Sequence, residues 1–149
     1  MKIIANNKKA YFDFEIIKTY EAGIVLTGSE VKAIRAGKVT MAGAFCDITK
    51  HLELYLRDMK IGFIKENLAK FQHKEVSARK LLLHKAEIIQ IKQKVFEKGL
   101  TLIPLKIYFS QALVKVEIGL CRGKNLRDKR QTIKERDLKR ENAKFNLKV

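Results

Sequence analysis

The chain has 149 residues, 46% hydrophobic and 32% charged, with 32 Lys and Arg against 16 Asp and Glu for a formal net charge of +16. That length buries one core without disulfide or metal staples, and so large a basic excess points to a polyanionic partner, nucleic acid before anionic membrane. The opening run Ile3-Ile4-Ala5 is too short for a signal peptide and no 18-residue apolar stretch exists, so the expectation is a soluble cytoplasmic protein with no membrane partner.

Residues 11–20, Tyr-Phe-Asp-Phe-Glu-Ile-Ile-Lys-Thr-Tyr, are aromatic, β-branched and roughly alternating, which predicts a half-buried strand. Glu21-Ala22-Gly23 reads as a break, after which Ile24-Val25-Leu26 resumes the run. Thr27-Gly28-Ser29 opens a short helix to about Ala36, with Ser29 as N-cap and Gly37 as stop. Residues 44–49 and the alternating residues 52–56 predict a hairpin turning at Lys50-His51. Ser77 can cap a helical turn carrying Arg79-Lys80-Leu81-Leu82-Leu83. From Lys85 to Lys98, Ile88, Ile91 and Val95 form one apolar helical stripe, ended by Gly99.

The strongest strand pair is 102–109 with 113–120. In the second, Val114-Lys115-Val116-Glu117-Ile118 puts Lys115 and Glu117 on one face and the valines on the other. Pro104 sits inside the first and predicts an edge or a bulge. Short antiparallel strands with few helices argue for a small barrel or an α+β fold over residues 1–121.

After Leu120 the pattern fails. Residues 122–149 hold eleven Lys and Arg against four Asp and Glu, so they carry +7 of the total +16, and their apolar residues do not repeat at helical spacing. Such a segment buries no face and is expected to be disordered when free. It lacks Pro and contains the favourable pair Glu135–Lys139, so it should become helical where a polyanion neutralises it.

Catalytic chemistry has little to stand on. His51, His73 and His84 are scattered, without a paired carboxylate or a second ligand at metal spacing, so no catalytic residue, metal or cofactor is expected. Cys46 and Cys121 lack CxxC spacing and read as buried free thiols. Gly23-Ile-Val-Leu-Thr-Gly28-Ser29 has glycines like a phosphate loop, but Ser29 and Glu30 stand where Lys and Ser/Thr should be. Binding residues are better represented. Glu21 is either a solvated turn residue or an acceptor for a base amino group or sugar hydroxyl, which cations cannot supply. Three consecutive leucines, 81–83, must leave one exposed, and that one could support a flat RNA surface. Four cations within residues 124–130 mark a phosphate-gripping hinge between body and tail.

Several of these segments together carry a family resemblance. Glu21-Ala-Gly-Ile, then Gly28-Ser-Glu30-Val-Lys32-Ala-Ile-Arg35-Ala-Gly, resembles the N-terminal signature of small protein B, the bacterial family that binds transfer-messenger RNA (tmRNA, or SsrA). Arg79-Lys-Leu-Leu-Leu-His-Lys with Glu87-Ile, Lys115-Val-Glu-Ile-Gly-Leu, and Gly123-Lys124 with Asp128-Lys129-Arg130 are similar to its other blocks, in family order from about residue 6 to residue 136.

The resemblance implies a mainly-β fold: an oligonucleotide-binding-type antiparallel barrel of about six strands, with three short helices and a basic tail. It implies a part in trans-translation, the rescue of stalled ribosomes, with no chemistry of its own. The barrel would bind the tRNA-like domain of tmRNA in place of an anticodon arm. The tail would enter the decoding centre and the empty mRNA channel of the small ribosomal subunit, against rRNA. Elongation factor Tu and alanyl-tRNA synthetase would be met only through tmRNA, by a monomer.

Residue by residue, Glu21, Leu82 and Lys115 match positions for tmRNA binding, with Asn6, Lys8, Lys32 and Arg35 in matching segments. Lys124, Asp128, Lys129 and Arg130 match the decoding-centre hinge, within which Arg127 also falls. Ile133, Lys134 and Arg136 match the start of the channel tail, to which Lys139, Arg140, Lys144 and Phe145 are also assigned. Two positions depart from the family. Arg127 replaces the usual His or Tyr, and a guanidinium can also stack on a base. Asn146 follows Phe145 where relatives carry two apolar residues. The alternatives are a ribosomal or other structural RNA binder with a basic extension, which shares the charge but not the ordered motifs, and an RNA-processing enzyme, which lacks a constellation of acid, base or metal groups.

Overall fold

Strict alternation builds the centre of the molecule. The computed structural model describes residues 2–63 and 74–123. In it β8 (Thr101–Ser110) and β9 (Leu113–Gly123) form a long antiparallel hairpin, with Val114, Val116, Ile118 and Leu120 buried. β9 passes its expected end at Leu120 because Cys121, Arg122 and Gly123 continue the pairing with β2 (Phe14–Ile24). From β8 the pairing runs to β4 (Phe45–Ile48), β5 (Leu54–Arg57), β7 (Arg79–Leu82), β2 and back through β9. Six antiparallel strands therefore close on themselves, which removes the open edges of a flat sheet. β1 (Lys2–Asn6) joins outside this ring on β8, and β3 (Val39–Thr40) pairs with β6 (Lys60–Ile61) in a separate two-stranded sheet. With α1 (Lys8–Asp13), α2 (Gly28–Arg35) and α3 (Lys85–Lys98), this is the barrel with three helices that the resemblance implies.

The interior holds Leu54, Leu56, Ile61, Leu81, Ile91, Ile107, Val116, Ile118 and Leu120, all nearly or fully shielded from solvent. Burying each such side chain contributes about 1.5–3 kcal/mol. Ile88 and Ile91 enter this core as the α3 stripe predicts, with Val95 packed at its margin. Gly99 follows at φ +62°, a left-handed cap that favours glycine. The hairpin expected at Lys50-His51 is present, with Ile48 opposite Leu54. Pro104 lies at a bulge and not at an edge: the β8–β9 register shifts between Pro104 and Lys106, and β8 meets β4 at Leu102 and β1 from Lys106 onward. Cys46 and Cys121 are buried and free, and burial raises both thiols, Cys121 to about 11.

Four local expectations are corrected. Tyr11, Phe12 and Asp13 are helical, in α1, although the aromatic side chains of Tyr11 and Phe12 favour a strand. The nearly buried Asn7 starts that helix: its side chain accepts from the Ala10 N–H (3.2 Å) and donates to the Pro104 carbonyl (2.9 Å). Ala10 then seats on a small second core with Ile103, Leu105 and Cys121, and that burial outweighs β propensity. At Glu21-Ala22-Gly23 the strand does not break, and β2 runs on to Ile24. The N-cap of α2 is Thr27, not Ser29. Its Oγ1 accepts from the Glu30 N–H (3.3 Å) while the Glu30 carboxylate accepts from the Thr27 N–H (2.9 Å), a reciprocal capping box.

Residues 79–82 are a strand, not a helical turn: Arg79 and Leu81 point inward, Lys80 and Leu82 outward. An inward arginine demands partners. Arg79 pairs through Nε with the buried Glu30 carboxylate, and its Nη atoms donate to the carbonyls of Met59 (2.7 Å), Ser77 (3.3 Å), Lys74 (3.1 Å) and Glu75 (3.3 Å). One side chain thus ties α2 to β7 and the residues around it.

Candidate nucleic-acid interface

Register places the candidate residues. Side chains directly opposite on neighbouring strands share a face. On the outer wall of the barrel, one row crosses four strands as Asn6, Lys106, Glu117 and Glu21. The adjacent row crosses five as Ile3, Tyr108, Lys115, Gly23 and Leu82. Glu21, Lys115 and Leu82, distant in sequence, therefore meet, and they line one cleft of about 420 Å³ with Gly23, Leu83, His84 and Glu87.

Each member is set by local structure. Gly23 stands between Lys115 and Leu82, and a Cβ there would come within 3.4 Å of the Leu82 Cβ, so glycine keeps the floor low. Strand alternation in β7, not helical crowding, turns Leu82 outward, and it remains 52% exposed while Leu81 is buried. Lys115 is half-buried opposite the inward Val114 and Val116, as its alternation predicts. His84 and Glu87 arrive with the first turn of α3.

The exposed Glu21 carboxylate accepts a hydrogen bond from the Tyr108 hydroxyl at 2.5 Å. Tyr108 itself is 3% exposed. Burial pushes its hydroxyl above the ordinary tyrosine range, and Glu21 and then Glu117 push it further, so it stays a protonated donor at neutral pH. Lys106 stands opposite Glu117, and Glu117 opposite Glu21, so one cation shares that row with two carboxylates.

The cleft inverts the balance of the chain. Among its charged side chains Glu21 and Glu87 face one cation, Lys115, in a protein of net charge +16. Two acceptors, an apolar surface and a single cation suit a base edge or ribose hydroxyl beside one phosphate, and not a run of phosphates.

The remaining candidates fall elsewhere. Asn6 shares the outer wall, at the far end of the Glu21 row, with Lys8 exposed at the start of α1. Lys32 and Arg35 are exposed on α2, where the Arg35 guanidinium lies 5.4 Å from the centre of the Phe109 ring. Lys8, Lys32 and Arg35 do not line the cleft. His73, the hinge (Lys124, Arg127, Asp128, Lys129, Arg130) and the tail candidates from Ile133 to Phe145 lie outside the described residues. Sequence reasoning passes over Tyr108 and Lys106, and meets Glu87 only within a family block, without a site role. The alternation of 102–109 could have put Lys106 and Tyr108 on one face, but only the pairing register places them beside Glu117 and Lys115.

Comparison with known proteins agrees with this architecture. The family model described as SmpB protein matches residues 4–148. The SsrA-binding protein of Persephonella marina is 50% identical over 144 residues, covering 97% of this chain and 93% of its own. That of Nitratiruptor sp. is 49% identical, covering 95% and 94%. A solved chain described as "tmRNA-SmpB: a journey to the center of the bacterial ribosome" superposes with a TM-score of 0.68 at 43% identity, covering 87% of this chain and 93% of its own.

Proposed function

The chain belongs to the SmpB family, and on that premise we propose that it is a tmRNA-binding protein of trans-translation, the rescue of stalled ribosomes. The barrel binds the tRNA-like domain of tmRNA through the outer wall centred on Glu21, Leu82 and Lys115. The basic tail, from the Lys124–Arg130 hinge onward, reaches the decoding centre and the vacant mRNA channel. Elongation factor Tu and alanyl-tRNA synthetase are engaged through the RNA, in the cytoplasm.

One observation carries the barrel half of this reading: three side chains from three different strands converge on a single cleft whose charge is opposite to that of the chain. A purely electrostatic RNA binder has no use for carboxylates at its contact surface, whereas a reader of bases and sugars needs acceptors. The division of charge supports the rest. The segment 122–149 holds +7 in 28 residues, which suits a channel lined with phosphate.

Gel-shift titration with the isolated tRNA-like domain, against an unrelated hairpin of equal length at matched salt, tests the proposal. Tight binding to the first and weak binding to the second is expected. Equal affinity for both would return the protein to the class of general structural RNA binders. A chain ending at Gly123 should keep RNA binding and lose tagging of stalled ribosomes; loss of RNA binding would overturn the division of labour between barrel and tail.

A further inference from the structure

We propose that Tyr108 is a positioning residue for RNA recognition, holding the Glu21 carboxylate in one orientation at the cleft. The inference rests on the reading of that cleft as an RNA site.

Glu21 is exposed on a strand, and a glutamate in that setting has three side-chain torsions to lose when it engages a ligand. The structure shows one of its oxygens, Oε2, already engaged by the Tyr108 hydroxyl. The donor is itself immobile. Tyr108 is buried, its strand is paired on both sides at this point, and its register partners are Lys115 and Ile3. The hydroxyl therefore acts as a fixed post beneath a carboxylate that must stand in the cleft.

The choice of a phenol matters. A cation in that place would neutralise Glu21 and leave the cleft without its acceptor, as Arg79 does for the buried Glu30. A neutral hydroxyl orients the carboxylate while leaving its charge intact for a base amino group or a ribose hydroxyl. With Oε2 occupied, Oε1 is the oxygen presented to such a donor, so the cleft offers one directed acceptor in place of a freely rotating pair. Preorganisation of this kind raises affinity by lowering the ordering cost of binding.

Tyr108→Phe keeps the ring and removes only the hydroxyl. The expected result is about a tenfold weaker binding of the tRNA-like domain, the scale of one hydrogen bond to a charged group. The slope of log K against log salt should stay unchanged, since no phosphate contact is lost. A merely structural role would disturb the neighbouring Lys115 and move that slope. The decisive reading is a double-mutant cycle: in a Glu21→Ala background, Tyr108→Phe should have no further effect, because the carboxylate it positions is gone.

Additive losses in the cycle, or an unchanged affinity in Tyr108→Phe alone, would overturn the positioning role. Failure of the underlying reading looks different: Glu21→Ala would then bind the tRNA-like domain as tightly as the unaltered protein. Thermal unfolding of each variant, expected to remain one cooperative transition, separates both outcomes from misfolding. If Tyr108→Phe fails to fold, Glu21→Asp provides the test with Tyr108 intact. It keeps the charge but is one methylene too short to reach the fixed hydroxyl, so it should bind about as weakly as Glu21→Ala; binding as tight as that of the unaltered protein would overturn the positioning role.

Discussion

Glu21 and Glu30 belong to the same stretch of chain and are opposite kinds of carboxylate. Glu30 is 5% exposed, capped onto Thr27 and answered by a full positive charge on Arg79. Glu21 is exposed, and its hydrogen-bond donor is the neutral hydroxyl of Tyr108. The first spends its charge on holding α2 to the barrel. The second keeps its charge at the surface of a cleft. On the proposed reading of the cleft, residue type and spacing do not separate a structural carboxylate from a binding one. The chemistry of the partner does: a cation that cancels the charge, or a dipole that only aims it.

The largest expected effect lies on the structural side. Arg79→Met leaves Glu30 buried without its counter-ion and should cost about 3–5 kcal/mol in denaturant unfolding. The double variant Arg79→Met/Glu30→Leu should regain most of that loss, because an apolar pair has no desolvation to repay. Equal destabilisation in both would show that the carbonyl contacts of Arg79, and not its charge, hold the region. On the binding side, Glu21→Ala should weaken tRNA-like-domain binding by about 1.5–3 kcal/mol while moving stability by no more than about 0.5 kcal/mol. Lys115→Ala should cost on the order of 1–2 kcal/mol in affinity and reduce the salt slope by about one ion.

The smallest effect is a pH dependence carried by Glu30 alone. Burial raises its carboxyl, but the hydrogen bonds from the Thr27 backbone and Arg79, with the Arg79 charge and the Thr27 side chain, outweigh burial and leave it below the ordinary value of 4.5. A lowered folded-state value stabilises the fold fully above the unfolded value and loses that contribution as pH falls through the folded one. Acid titration of unfolding stability should therefore show a descending limb below pH 4.5 that is shallower in Glu30→Gln. An identical limb in both proteins would assign acid sensitivity to other groups.

Much of the barrel was legible because alternation is a local signal. The β8–β9 hairpin, the β4–β5 hairpin and α3 each follow from periodicity within their own residues. What escaped depends on distant partners. α1 forms over strand-favouring Tyr11 and Phe12 because Asn7 and Ala10 dock on Pro104 and Leu105, far along the chain. β7 carries three leucines in a row, a pattern that fits helix or strand, and its inward Arg79 makes sense only once Glu30 is seen opposite. Gly23 looks like a strand breaker until Leu82 is found across from it. The site divides in the same way. Glu21, an exposed leucine and the outward Lys115 were each legible from the residues, but their joint role in tmRNA binding came from the family resemblance. Tyr108 was invisible, since a buried tyrosine in a strand looks like core until register brings its hydroxyl to Glu21.

The most direct test of the central claim, that the Glu21–Leu82–Lys115 wall is the RNA face, is amide chemical-shift mapping of the labelled full-length protein titrated with the tRNA-like domain. The strongest perturbations should cluster at Glu21–Gly23, Leu82–His84 and Lys115, with a weaker trail along Lys106 to Asn6. Perturbations confined to the outer side of α3 around the exposed Phe96, with the cleft unmoved, would contradict it.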